Sequence, residues 1–391
     1  DRTNRTKGDF AMATIVGTPV KPTAPAAPTV KVPSVPPRFQ QGPLTTAIQL
    51  GPLAHLAGAW KGRGFNVMWR PDNPQSQPFS QTKRFLELNL TSESFNFDVI
   101  PGVVPNRGLN PQTDLSLYGL HYLQRVSDAD RPPFSTAGQA LHIEPGLFMN
   151  VPASQEPAVG PTIVRMASIP HGVSLLMQGP TPSTTPVAGA PTIPPIYPIA
   201  GMPTFTPPAG AQGLGIQPVD IPPNAGDGDE HVVPEVVLSS DIAGSQSNGP
   251  YPASIPQAYV NDPNSVLRDA IVGQDILGFI AIQLSTTGAG SGIENIPFLG
   301  TPNPAQATDP SNANAFVLQS SATFWIEWVR MDGYPPVLPQ AKVLDPSILG
   351  IEPFWPTPTF LQLQYSQVSI LVFNNVLWPH VNVATLTLSA G

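Results

Sequence analysis

Leu86-Glu87-Leu88-Asn89-Leu90-Thr91-Ser92-Glu93-Ser94-Phe95-Asn96-Phe97-Asp98-Val99 decides the fold class. Leucines alternate with polar residues from Leu86 to Leu90, and Phe95, Phe97 and Val99 alternate with Asn96 and Asp98. A period of two places successive side chains on opposite faces of a half-buried strand. The polar run Thr91 to Ser94 between the two alternating stretches predicts a turn, and hence a β-hairpin.

Working outward, the same texture recurs. A single helical turn is expected at Leu53–Ala57, then a strand from Gly58 through Phe65, Val67 and Trp69. Further strands are expected at 115–125, 141–151, 163–169, 173–178, 275–285, 322–330, 360–373 and 381–388, with a short helix at 264–272 capped by Asn264 or Ser265. The expectation is an all-β chain of nine to eleven strands, forming a single closed antiparallel β-barrel.

Composition points the same way. There are 52 prolines and 33 glycines in 391 residues, and charged residues make up 11%, against about 25% in ordinary chains. Proline breaks helix interiors and removes ladder donors, so short strands joined by long loops are favoured. Residues 1–50 read as a proline-rich extended arm preceding the barrel domain at 51–391. A long proline- and glycine-rich insertion at about 180–260 is expected to wrap over the barrel. A net charge of −8 provides no basic footprint for nucleic acid. No apolar run reaches the ~18 residues of a membrane span. The absence of cysteine excludes disulfides and thiolate sites. The compartment stays open, a secreted protein with its leader removed being one option. Asn4-Arg5-Thr6 and Asn89-Leu90-Thr91 are read as chance sequons.

Gly58-Ala59-Trp60 after a short helical lead-in resembles the calycin superfamily of lipocalins and fatty-acid-binding proteins, where the indole plugs one end of the barrel. Leu141-His142-Ile143-Glu144-Pro145-Gly146, Ile169-Pro170-His171-Gly172, Leu363-Gln364-Tyr365 and Trp378-Pro379-His380-Val381 resemble the nitrobindin-like heme-binding barrels, a related ten-stranded group. The resemblance spans roughly 50–180 and 270–391 as sparse motifs. It implies heme as cofactor and His380, near the start of the last strand, as the iron ligand. His171, His142, Trp378 and Tyr365 follow as cofactor-pocket candidates. Any catalysis would then be the heme's, of a peroxidase or peroxynitrite-isomerase type.

The residues themselves leave other accounts open. His142 and Glu144 share a strand face, where a surface hydrogen bond competes with orienting an imidazole or binding a metal. His171 sits in a turn, and His121 is expected in lumen or core. His55 is expected to cap or pack beside the lead-in, and His231 to lie in a solvated acidic loop. The tryptophans are expected to plug and rim the barrel. No nucleophile elbow, P-loop, His-Glu-x-x-His or dinucleotide fingerprint is present. The expected function is therefore binding of heme or a small hydrophobic ligand. The alternative is a self-assembling structural protein whose arm and insertion make homo-oligomer contacts.

Overall fold

The computed structural model describes residues 48–71, 84–108, 113–129, 140–156, 158–169, 173–196, 255–256, 258–259, 262–286, 316–331, 358–373 and 376–389. Ten strands close into one antiparallel barrel. They are β1 (Gly58–Pro71), β2 (Arg84–Val99), β3 (Leu115–Asp128), β4 (Ala140–Val151), β5 (Thr162–Ile169), β6 (Val173–Pro180), β7 (Ile276–Ser285), β8 (Phe316–Arg330), β9 (Thr359–Phe373) and β10 (Val376–Leu388). Each pairs with its chain neighbour, β10 returns to β1, and β6 meets β7. The ladders are long, β1 matching β2 from Gly58↔Phe97 to Pro71↔Arg84.

The β6–β7 seam is the exception. Its ladder consists of Ser285↔Gln178. Beyond it the early insertion continues along β7 through Val187↔Phe279 and Ala188↔Gly278. Gly179 is required there, because a Cβ would lie 1.8 Å from the Gln283 carbonyl oxygen.

One expectation falls. Thr91 to Ser94 form no turn, and Arg84–Val99 is a single strand of 16 residues. Thr91 and Glu93 lie on the same face as Phe95 and Phe97, opposite Gly64 and Gly62 of β1. Leu88 lies on the other face. The apolar side of the strand changes over between Leu90 and Phe95, and that change of face was read as a change of direction.

The plug end is built from the lead-in. Gly51–Leu56 forms a 3-10 helix with Leu53 and Leu56 fully buried. The Trp60 indole donates to the Leu56 carbonyl at 2.7 Å. Trp60 joins one core cluster with Phe97, Leu120, Phe148, Ile282, Phe324, Trp328 and Leu386. His55 packs edge-on against Trp328 with ring centroids 5.1 Å apart.

A second cluster lies on the outer face, where Leu115, Leu117, Met149, Val151, Val164 and Met166 are covered by Ile100 and Val104. The outer face of β8–β10 is covered by α1 (Ser265–Ala270) and its flanks. The Gln364 amide donates to the Leu267 carbonyl at 2.9 Å. The polar alternates of β9 thus face outward yet are buried, Gln362 and Gln364 among them. Neither Asn264 nor Ser265 caps α1 with its side chain. Asn264 Nδ2 reaches the Pro194 carbonyl at 2.7 Å instead, and Asp262 accepts the Asn264 backbone N–H at 3.1 Å. Among the described residues no helix is long and apolar enough to cross a membrane.

The Trp60 plug carries a direct prediction. Trp60→Ala should cost about 3–5 kcal/mol, the range for truncating a large buried aromatic. Urea unfolding followed by far-ultraviolet circular dichroism checks it; a loss below about 1 kcal/mol would show that the indole does not seal the core.

Candidate functional site: the polar half of the lumen

In a barrel alternate residues of every strand face inward, so lumen contents can be read strand by strand. Near the plug the inward residues are apolar. At mid-height they turn polar on most strands. Along β2 the order is Phe97, Phe95, Glu93, Thr91, Asn89, and on β3 Tyr122 gives way to Gln124. On β4 Phe148 is followed by Gly146, then Glu144 and His142. On β9 Tyr365 leads to Gln367 and Ser369. On β10 Ala384 leads to Asn382 and His380. β5 beyond Arg165, β6 and β7 stay apolar, through Ala167 and Ile169, Val173 and Leu175, and Ile282 and Leu284.

Arg165 occupies the centre. It is 1% exposed, and each guanidinium nitrogen has a partner: Nε donates to Tyr122 Oη at 3.0 Å, Nη1 to Gln367 Oε1 at 2.7 Å and Nη2 to Glu144 Oε1 at 2.6 Å. Its carbon lies 5.3–5.7 Å from the ring centres of Tyr122, Phe148 and Phe324. The Tyr122 hydroxyl also donates to Glu144 Oε1. His142 Nε2 is 3.1 Å from Glu144 Oε2. Gly146 makes room for this packing, since a Cβ there would lie 2.6 Å from the Tyr122 ring.

Beside it sits a second carboxylate. Glu93 Oε2 accepts from Tyr365 Oη at 2.5 Å and from Gln124 Nε2 at 3.3 Å, while Oε1 accepts from Thr91 at 2.8 Å. Gln124 also donates to Tyr365 Oη at 2.9 Å.

The two acids are pushed apart electrostatically. Burial would raise Glu144, but the Arg165 charge outweighs it, helped by His142 and Tyr122, and holds the carboxyl at about 2. Burial raises Glu93, against its hydrogen bonds from Tyr365, Thr91 and Gln124 and the nearby charge of His142. Burial also pushes both buried tyrosines well up, so each hydroxyl keeps its proton.

The sequence-derived candidates land as follows. Tyr365 and His142 belong to this lumen network, and His142–Glu144 is an interior pair rather than a surface one. His380 faces the lumen on β10, half-buried, opposite Met68 and Ser369. His171 lies outside the described residues, as does the side chain of Trp378 on β10; His231 and residues 1–47 of the arm also lie outside them, while Leu50 at the arm's end is buried in the core. His121 faces outward, 58% exposed and 3.6 Å from Asp98, contrary to the lumen or core expectation. Its strand parity is opposite to that of Tyr122. His55 packs, as expected.

Among the described residues no three His, Asp or Glu side chains gather as a metal site. Tyr365 Oη donates to Glu93, and His142 Nε2 lies 3.1 Å from Glu144 Oε2. The residues that sequence reasoning missed are Arg165, Glu93, Gln124, Tyr122 and Gln367. The signal was available in Arg165, a lone charge inside the apolar run Ile163–Ile169.

Two further features stand apart from this network. A groove of about 530 Å³ follows the seam, lined by Thr162, Gln178, Gln283, Ser285 and Thr323. These polar positions face outward, Leu284 and Ala322 of the inner core also line the groove, and no titratable side chain does. On the outer face of β8, Glu327 is fully buried, accepts from Gln362 at 2.7 Å, and is raised by burial to about 7. No known protein family, curated protein or solved structure matches the chain.

Two outcomes are expected. Arg165→Met, which strands Glu144, should cost about 3–5 kcal/mol, and adding Glu144→Leu should recover part of it; a double variant no more stable than the single one would contradict the pairing. Glu327 has a folded value above its unfolded one, so its favourable contribution holds below the ordinary carboxylate range and is lost as pH rises toward 7. Glu327→Gln should therefore raise stability at pH 8 by about 1–2 kcal/mol and not at pH 4. Urea titrations at the two pH values check the sign.

Proposed function

We propose that the protein is a small-molecule-binding barrel whose ligand enters the lumen at the end opposite Trp60 and rests on the Arg165–Glu144–Tyr122 and Glu93–Tyr365 layer. The observation that carries this reading is the asymmetry of the lumen. Folding alone is served by an apolar filling, as on the plug side. Burying an arginine and two glutamates is expensive and calls for a complete set of partners. Here that set forms a fixed floor across the barrel at mid-height. Above it stand imidazole, carboxamide and hydroxyl groups on one arc and aliphatic groups on β5 and β6. A largely apolar molecule with a polar edge suits such walls.

A second reading, heme binding, is favoured by the inward position of His380 on β10. Its imidazole would be the axial ligand, and iron-centred redox chemistry would be the cofactor's own. The chain's contribution would be the imidazole, the aliphatic wall of β5–β6 and a floor that keeps water from the plug side.

The test is titration of wild type and His380→Ala with ferric heme, followed by visible absorption, and with a fluorescent apolar probe, followed by emission. A Soret band that shifts or vanishes in the variant supports heme with His380 as ligand. Probe binding that is unchanged by the variant, without a Soret band, supports a metal-free carrier. Binding of neither would overturn the lumen reading.

A further inference from the structure

We infer that the lumen recognises an uncharged ligand carrying two hydrogen-bond donors on one edge, read by the side-chain oxygens of Asn66 and Asn382; this rests on the small-molecule reading above and specifies its ligand class. The two residues are directly opposed on β1 and β10. Asn66 is also opposed to Asn89 on β2, and Asn382 to Gln367 on β9. Four carboxamides therefore run side by side across four consecutive strands, all on the inward face.

Two of them are unsatisfied in a specific way. Asn66 is 5% exposed and its Nδ2 reaches Asn89 Oδ1 at 3.4 Å, while its own Oδ1 has no donor. Asn382 Oδ1 is likewise buried without a donor. A buried carbonyl left unpaired costs about 1–3 kcal/mol, so two neighbouring ones facing one lumen are acceptors placed for something that brings donors. Opposed residues on adjacent strands have Cβ atoms about 5 Å apart, which suits two hydroxyl or N–H groups on one small headgroup.

The rest of the wall fixes the ligand's charge and opposite face. All three Arg165 nitrogens are already bonded, so the floor offers no cation to an anionic head. In a ten-stranded ring the strands five positions away from β10 and β1 are β5 and β6. These carry Ala167, Ile169, Val173 and Leu175. The ligand thus presents donors toward β10–β1 and hydrocarbon toward β5–β6.

Three probes of equal chain length separate the possibilities by calorimetry on the full chain: monodecanoylglycerol with two hydroxyl donors, methyl decanoate with acceptors only, and decanoate with a charged head. Wild type should bind the glycerol ester about tenfold more tightly than the methyl ester, the worth of one or two added neutral hydrogen bonds. Asn66→Leu should erase that preference. Asn382→Leu does the same, which keeps the test decisive if the first variant fails to fold. Equal binding of the two esters in wild type, tighter binding of decanoate, or a preference that survives both substitutions would overturn this inference and leave the lumen reading standing. Failure of all three probes and of the apolar fluorophore would overturn both.

Discussion

The guanidinium of Arg165, shut inside a closed barrel, is the constraint on which the luminal half of the molecule depends. A charge without water must find its solvation in the protein. Glu144 supplies the countercharge, Tyr122 and Gln367 supply the remaining acceptors, and three aromatic rings supply faces toward which the cation is drawn. Each hydrogen-bond partner comes from a different strand. The register of β3, β4, β5 and β9 is therefore tied to one residue, and a slip of one position would turn a partner outward.

The same constraint divides the barrel in two. Toward the plug, Trp60, Phe97 and Leu120 fill space as in any close-packed core. Toward the mouth the inner wall changes chemistry strand by strand, and two carboxamide oxygens remain without donors. A protein that needed only stability would gain from replacing such groups by hydrocarbon. Their direct opposition on neighbouring strands, beside a fully satisfied layer, is the physical ground for placing function there.

Much of the fold was legible from alternation, because a closed barrel imposes a period of two on every strand. The strand positions and the total near ten followed from that period and from the prolines, whereas the indole plug was implied by the resemblance that Gly58-Ala59-Trp60 carries. The hairpin at Thr91–Ser94 did not exist, and the reason is informative. Leu88 is buried on the outside and Phe95 on the inside, so the apolar face switches within one strand. That switch marks the height at which the lumen becomes polar. The candidate site was less legible. His142, Tyr365 and His380 were singled out and do face the lumen, but Arg165, Glu93 and Gln124 carry no motif. Their meaning arises from contacts between residues up to 272 positions apart, which no local pattern records. The buried outer glutamines of β9 were equally hidden, since alternation cannot tell solvent from the cover that Leu267 and its neighbours provide.

The central claim is that ligand contacts belong to the mouth half of the lumen. The most direct measurement is nuclear magnetic resonance of side-chain N–H groups during titration with monodecanoylglycerol. The account predicts that the amide resonances of Asn66, Asn89, Asn382 and Gln367 move together while the Trp60 indole stays fixed. Movement confined to Gln178 and Gln283 on the outer seam, or led by the Trp60 indole, would contradict it.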